Sequence, residues 1–162
     1  MKIGIVSDTH DNLDKTRKAV NHFLEENVEV VIHCGDLVSP FTAKLFDQDF
    51  GFYAVKGNND GEWKLKETVE SFGKWMNQLG EIELEGYRFA VYHGTEKGVV
   101  KSLIGCGEYD YVLRGHTHTK TINEYNGTIE INPGGIKIPG TNESFHVATL
   151  DTSTGDVSFH KV

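Results

Sequence analysis

Apolar residues in this chain recur with two rhythms, and their alternation lays out the early elements. Residues 2–7, KIGIVS, are almost continuously apolar, as in a strand covered on both faces. From Asp11 the spacing lengthens to that of a helix, with Leu13, Val20, Phe23, Leu24 and the stem of Arg17 on one side and Asp11 as the expected N-cap. VEVVIH (28–33) reads as a second buried strand. SPFTAKLF (39–46) opens with Ser at the cap and Pro at the first helical position, a strong helix start, and GFYAVK (51–56) is a third strand. This β-α-β-α-β series predicts parallel strands with right-handed crossovers.

The later rhythm is different. Residues 61–79 mix charge with Trp63, Leu65, Phe72, Trp75 and Met76 and read as helical or irregular. EIELEG and YRFAVYHG pair about a tight turn at Glu85–Gly86, and EKGVVKSLIG (96–105) fits a short helix capped by Thr95. YDYVLRG (109–115) is another strand. The remainder of the chain alternates strands with polar turns, including a hairpin at Asn126–Gly127. No repeat, low-complexity tract or Pro/Gly-rich linker interrupts the 162 residues, so one domain spanning 1–162 is expected. An α/β first half and an antiparallel second half predict two packed sheets with helices outside them.

Composition narrows the class. With 25% charged and 38% hydrophobic residues the chain is ordinary for a water-soluble domain. No apolar run approaches the ~18 residues of a spanning helix, and MKIGIVSDTH enters a strand without a leader pattern, so a cytoplasmic protein with no membrane partner is expected. Cys34 and Cys106 are too few and too far apart for a disulfide framework or a structural zinc finger. A net charge of −8 disfavours nucleic acid as a partner, because that affinity relies on Lys and Arg. A protein of this charge that handles phosphate esters needs another source of attraction, and a divalent metal supplies one.

The polar residues that resist a structural role lie just beyond predicted strand ends, in SDTH, HCGD, KGNND, YHG and RGHTH. Ligands of α/β sheets bind at the carboxyl ends of their strands. In extended chain, residues two apart share a side, so Asp8 with His10 and His116 with His118 can each chelate one ion or bridge neighbouring ones. Asp36 and His93 sit beside glycines that let the backbone turn closely. Each block alone reads as a turn; their ordered combination reads as a metal site. Other chemistries lack their signatures: position 10 is His rather than the Asp of an aspartate-nucleophile phosphatase, and neither a phosphate-binding P-loop nor a G-x-S-x-G elbow is present. His22, His146 and His160 are read as structural or solvated, and His33 and Cys34 as a packed strand end. Trp63, Phe72 and Trp75 are read as core or partner-facing, while Arg114, Lys56 and Lys97 stay unassigned.

The series D-x-H, G-D, G-N-x-D, H-G and G-H-x-H, from Asp8 to Gly134 with NPGG near its end, resembles the calcineurin-like metallophosphoesterases, most of all their small archaeal and bacterial phosphodiesterase branch. The resemblance implies a four-layer αββα sandwich with two mixed β-sheets. It implies two divalent ions, one held by Asp8, His10 and His118, the other by Asn58, His93 and His116, with Asp36 between them. Manganese is the expected ion, with nickel, iron or zinc as alternatives. The implied nucleophile is a metal-bound hydroxide, and the implied activity is hydrolysis of a small phosphodiester. Alternatives are a phosphomonoesterase and a non-catalytic scaffold similar to the retromer subunit; homo-oligomerisation is left open. A nuclease is disfavoured by the acidic balance and the short chain. Asn59 stands where many members carry a histidine that contacts phosphate and protonates the leaving oxygen. An amide can donate to a phosphate oxygen but cannot supply that proton.

Overall fold

Residues 2–6 form strand β1 (Lys2–Val6), paired in parallel with β2 (Val30–His33), which pairs in parallel with β3 (Gly51–Ala54). They belong to a computed structural model that describes residues 1–136 and 144–162. A two-residue strand, β4 (Lys74–Trp75), extends the parallel edge beyond β3. At the other side β10 (His146–Asp151) and β11 (Asp156–Lys161) add antiparallel strands, giving the order β11-β10-β1-β2-β3-β4. The second sheet has the order β5-β6-β7-β9-β8, formed by β5 (Leu79–Leu84), β6 (Tyr87–Tyr92), β7 (Tyr111–Leu113), β8 (Thr121–Tyr125) and β9 (Thr128–Asn132). Its centre, β6-β7-β9, is parallel and its two edges are antiparallel, so both sheets are mixed.

Side-chain alternation sorts the strands into layers. Ile3, Ile5, Val30 and Ile32 of the first sheet meet Ile82, Phe89, Val91, Leu113 and Ile131 of the second in one buried core. On the opposite face of the first sheet, Val6, Val31 and Phe52 pack beneath α1 (Leu13–Glu25), α2 (Pro40–Ala43) and α3 (Leu65–Glu70) through Val20, Phe23, Ala43 and Leu65. On the opposite face of the second sheet, Ala90 and Val112 receive Leu103 of α4 (Lys97–Gly105). This is the expected α/β four-layer sandwich. The strands of its core are buried on both faces, which is why they read as continuous apolar runs.

Local chemistry follows the sequence closely, with informative exceptions. Pro40 occupies the first turn of α2, which continues as a 3₁₀ turn over Lys44–Phe46. Glu85–Gly86 and Asn126–Gly127 both take positive φ, the two-residue hairpin geometry. Residues 61–79 resolve into α3 and β4. Trp75 is buried and Phe72 packs against the same core, stacked on Phe52, whereas Trp63 is 78% exposed. Asp11, expected to cap α1, does not. Asn12 caps it by accepting from Lys15 N, while Asp11 Oδ1 accepts from Ser39 N, Ser39 Oγ and Thr42 Oγ1 and so ties the start of α2 to the β1 loop. Likewise Glu96, not Thr95, is the N-cap of α4. Residues 137–143, between β9 and β10, lie outside the described residues. Among the described residues no helix is long and apolar enough to cross a membrane.

Candidate metal centre

The parallel strands of both sheets end at one rim. The loop after β1 is tied to that after β2 by Asp8 N to Gly35 O at 3.0 Å, and Gly115 N donates to His93 O at 2.9 Å between the loops after β7 and β6. Asp8, His10, Asp36, Asn58, His93, His116 and His118 all project from these loops. Their local conformation differs from the extended one the spacing suggested: Asp8, His10, Asp36, His116 and His118 have φ between 41° and 67°. The D-x-H and H-x-H pairs therefore converge through left-handed turns rather than strand parity. Asp, Asn and His tolerate that conformation better than bulkier residues, and it clusters at functional sites.

Two imidazole pairs flank the carboxylates. His10 and His118 stack with centroids 5.1 Å apart, and their Nε2 atoms stand 3.7 Å and 3.4 Å from Asp8 Oδ1. His93 and His116 lie 5.2 Å apart edge to face. His93 Nε2 and His116 Nδ1 sit 3.1 Å and 3.0 Å from Asn58 Oδ1. Asp36 Oδ2 stands between the pairs, 3.6 Å from His10 Nε2 and 3.3 Å from His93 Nε2. Ligand atoms of Asp8, His10 and His118 come within 4.8 Å of one another, as do those of Asp8, Asp36 and His93. Asp8 thus joins both groups, in addition to the intermediate position of Asp36.

The chemistry of this donor set fits divalent cations. Asp8 and Asp36 are buried, and among the described residues only histidines approach them as cations. Asp8 Oδ1 and His10 Nε2 are buried with no hydrogen-bond partner, a costly state that a shared ion relieves. His93 Nδ1 donates to Cys34 O at 2.8 Å and His118 Nδ1 to Ile136 O at 2.7 Å, which leaves both Nε2 atoms facing the carboxylates, where they could ligate an ion. Burial pushes the Asp36 carboxyl up, but hydrogen bonds from His93 and Asn59 outweigh it and hold Asp36 below the carboxylate range. Burial likewise opposes ionisation of Asp8, and its contacts with His10, His93 and Ser7 reverse the sign. His10 is raised chiefly by Asp8; His93 is lowered by burial and raised by more through Asp36 and Asp8.

Surrounding groups fix these ligands. Asp60, 4% exposed, accepts from Asp36 N (2.9 Å) and Gly57 N (2.7 Å) on Oδ2 and from Val38 N (2.7 Å) on Oδ1, binding the β2 and β3 loops together. A Cβ on Gly57 would lie 2.1 Å from Asp36 Oδ1, so only glycine lets that loop pass. Asn59 donates to Asp36 twice, through its backbone N and Nδ2, each at 2.8 Å. The fully buried Asn132 donates from Nδ2 to Gly115 O and Thr117 Oγ1 and accepts from Gly134 N, pinning the loop that carries His116 and His118. Sequence reading assigned Asn132 no role; its signal was the NPGG tetrapeptide at the end of β9.

The remaining candidates separate cleanly. His33 is fully buried, bonded to Thr9 Oγ1 and Gly35 N, and burial lowers its pKa to about 3. Cys34 contributes its carbonyl, and burial pushes its thiol far up. His22 packs on His160, and His146 donates to Ser144 O. Arg114 pairs through Nε with the buried Glu130. Two clefts adjoin the centre: one of about 540 Å³ reaches His116 and Arg114, and one of about 290 Å³ reaches Asn58 and Lys56.

A calcineurin-like phosphoesterase superfamily domain matches residues 1–155. A phosphodiesterase of Methanocaldococcus jannaschii is 44% identical over 138 residues, covering 83% of each chain. A probable metallophosphoesterase of Methanothermobacter thermautotrophicus is 31% identical, covering 93% of this chain and 87% of its own. The solved structure of an archaeal phosphodiesterase superposes over the full length of both chains with a TM-score of 0.93 at 38% identity. Vps29 of Entamoeba histolytica in complex with zinc has a TM-score of 0.71 at 16% identity, covering 100% of this chain and 98% of its own, a likeness of fold alone.

Proposed function

The chain belongs to the calcineurin-like phosphoesterase superfamily, and from that premise we propose that it is a metal-dependent phosphodiesterase acting on a small phosphodiester. The observation that carries the reading is the pair of imidazole couples divided by Asp36. In this reading Asp8, His10 and His118 hold one ion, Asn58, His93 and His116 the other, and Asp36 serves both. Divalent ions held there would supply Lewis acidity, lowering the pKa of an attacking water and offsetting charge on the phosphate oxygens.

The chain's own groups do the rest. Cys34 O and Ile136 O hold His93 and His118 in the tautomers that present Nε2. Asn59 already gives one amide hydrogen to Asp36, so the other is available to orient a phosphate oxygen. With an amide at position 59 the leaving oxygen receives no proton from that residue, which favours esters whose alcohols leave readily. Manganese is the proposed ion, the cytoplasm the proposed location, and residues 1–162 the proposed functional domain. The scaffold alternative lacks support from the site, because all seven donor residues are present.

Metal removal tests the proposal. Purified protein treated with a chelator should lose hydrolysis of bis(4-nitrophenyl) phosphate and regain it with Mn²⁺, and Asp36→Asn should lose both metal and activity. Activity indifferent to metal, or apoprotein that takes up none, overturns it.

A further inference from the structure

The cleft between α4 and the β8–β9 hairpin is not explained by holding metal. It measures about 540 Å³ and is continuous with the centre at His116, which lines both. That volume lies within the range of small-molecule pockets and far exceeds what a phosphate group needs. One face of α4 supplies its wall: Lys97, Val100, Lys101 and Ile104 recur at helical spacing, while Leu103 turns away into the core. Tyr125, 45% exposed at the end of β8, is another lining residue. Arg114 lines it too, its charge matched by Glu130.

The charge of this cleft runs against that of the chain. Within a molecule of net charge −8, Lys97 and Lys101 have no carboxylate within 4.0 Å among the described residues. An apolar wall with an aromatic ring, edged by two uncommitted ammonium groups, suits a planar organic group that carries its own anion. A phosphodiester places an organic group beside the reacting phosphorus, and here the reacting end is the metal centre. We propose that this cleft is the specificity subsite for one alcohol of the diester, a planar aromatic unit of nucleoside size bearing a second phosphate that Lys97 and Lys101 receive. The proposal rests on the phosphodiesterase reading above and goes beyond it by naming the substrate class and the residues that select it.

Three substrates that release the same 4-nitrophenolate isolate the cleft from the chemistry: methyl 4-nitrophenyl phosphate, thymidine 5′-(4-nitrophenyl phosphate), and the latter with a 3′-phosphate. With Mn²⁺-loaded wild-type protein, kcat/KM should rise at least about tenfold from methyl to thymidyl ester, as stacking on one aromatic side chain allows, and rise again with the 3′-phosphate. Val100→Trp, which fills the cleft, and Tyr125→Ala, which removes its ring, should each collapse the thymidyl-to-methyl ratio. Lys97→Glu with Lys101→Glu should erase only the increment due to the 3′-phosphate. Equal rates for methyl and thymidyl esters in the wild type, or variants that slow both in proportion, overturn the proposal. If the loaded protein turns over none of the three, the phosphodiesterase reading is what fails. Titration with thymidine 3′,5′-bisphosphate, followed by NMR, then decides the cleft: binding lost in Val100→Trp sustains a subsite for this class of ligand, and no binding overturns it.

Discussion

Asp60 offers the most discriminating perturbation, because it touches no ligand side chain yet ties down the backbone that carries two of them. Its carboxylate accepts three N–H groups, two on Oδ2 from Asp36 and Gly57 and one on Oδ1 from Val38. In Asp60→Asn the amide oxygen can keep the first two, leaving an NH₂ group facing Val38 N. A hydrogen bond to a charged group is worth about 1.5–3 kcal/mol, so one such loss sets the upper scale. An opposing effect is present: burial raises the Asp60 carboxyl above its ordinary value, and the Asp36 charge adds to this against the backbone donors. A raised carboxyl pKa makes the folded state less stable as pH rises past the ordinary carboxylate range, and the amide removes that penalty. The net expectation is a loss of about 1–2 kcal/mol at neutral pH, read by urea unfolding of the metal-free protein. Metal affinity, read by competition with a fluorescent chelator, should fall about 10–100-fold, the scale of lost support behind ligands. A variant within about 0.5 kcal/mol of wild type in stability, with metal affinity unchanged within about twofold, would refute the claim that Asp60 holds the Asp36 loop in place.

Three further outcomes rest on the same loops. His33 is buried neutral with a pKa near 3, so its contribution is complete above its ordinary value of 6.5 and is lost as pH falls from 6.5 towards 3. At pH 5 this amounts to about 2 kcal/mol, and His33→Asn should flatten that part of the difference between unfolding curves at pH 8 and pH 5. Gly57→Ala should impair metal binding at least about tenfold in a folded protein, since its Cβ would meet Asp36 at 2.1 Å; Gly61→Ala, with nothing within 4 Å, should behave as wild type. Asn59→His should raise turnover of diesters with poor leaving groups more than of 4-nitrophenyl esters, by about 10²-fold or more if it serves as general acid. No gain would mean that another group already delivers the proton.

The layers were legible because strands buried on both faces read as short continuous apolar runs bounded by turn residues, as in KIGIVS and VVIH. The donor residues were legible because carboxylates and imidazoles collect just past those runs. The route by which they converge was not. Asp8 and His10 share a side because both turn left-handed, a choice made by loops packing against one another rather than by local spacing. Asp11 and Asn12 are equally good caps in sequence, and only the arrival of Ser39 and Thr42 decides that Asp11 serves the neighbouring helix. β4 pairs through two residues, too few to show any period. Asn132 opens the NPGG tetrapeptide, but that its amide reaches Gly115 O and Thr117 Oγ1 follows only from the pairing of β9 with β7.

The donor set straddles the seam of the sandwich. Asp8, Asp36 and Asn58 hang from the sheet that begins with β1, whereas His93 and His116 hang from the one that contains β6 and β7. An ion held by these residues, as proposed, would be a rivet through two plates. Sliding one sheet past the other by even part of a residue would pull the imidazoles from the carboxylates, so metal occupancy reports on the alignment of the whole sandwich. Substitutions deep between the plates, at Ile5 or Phe89, should therefore weaken metal binding without touching a ligand. Conversely, the ion should raise the unfolding midpoint of both sheets together.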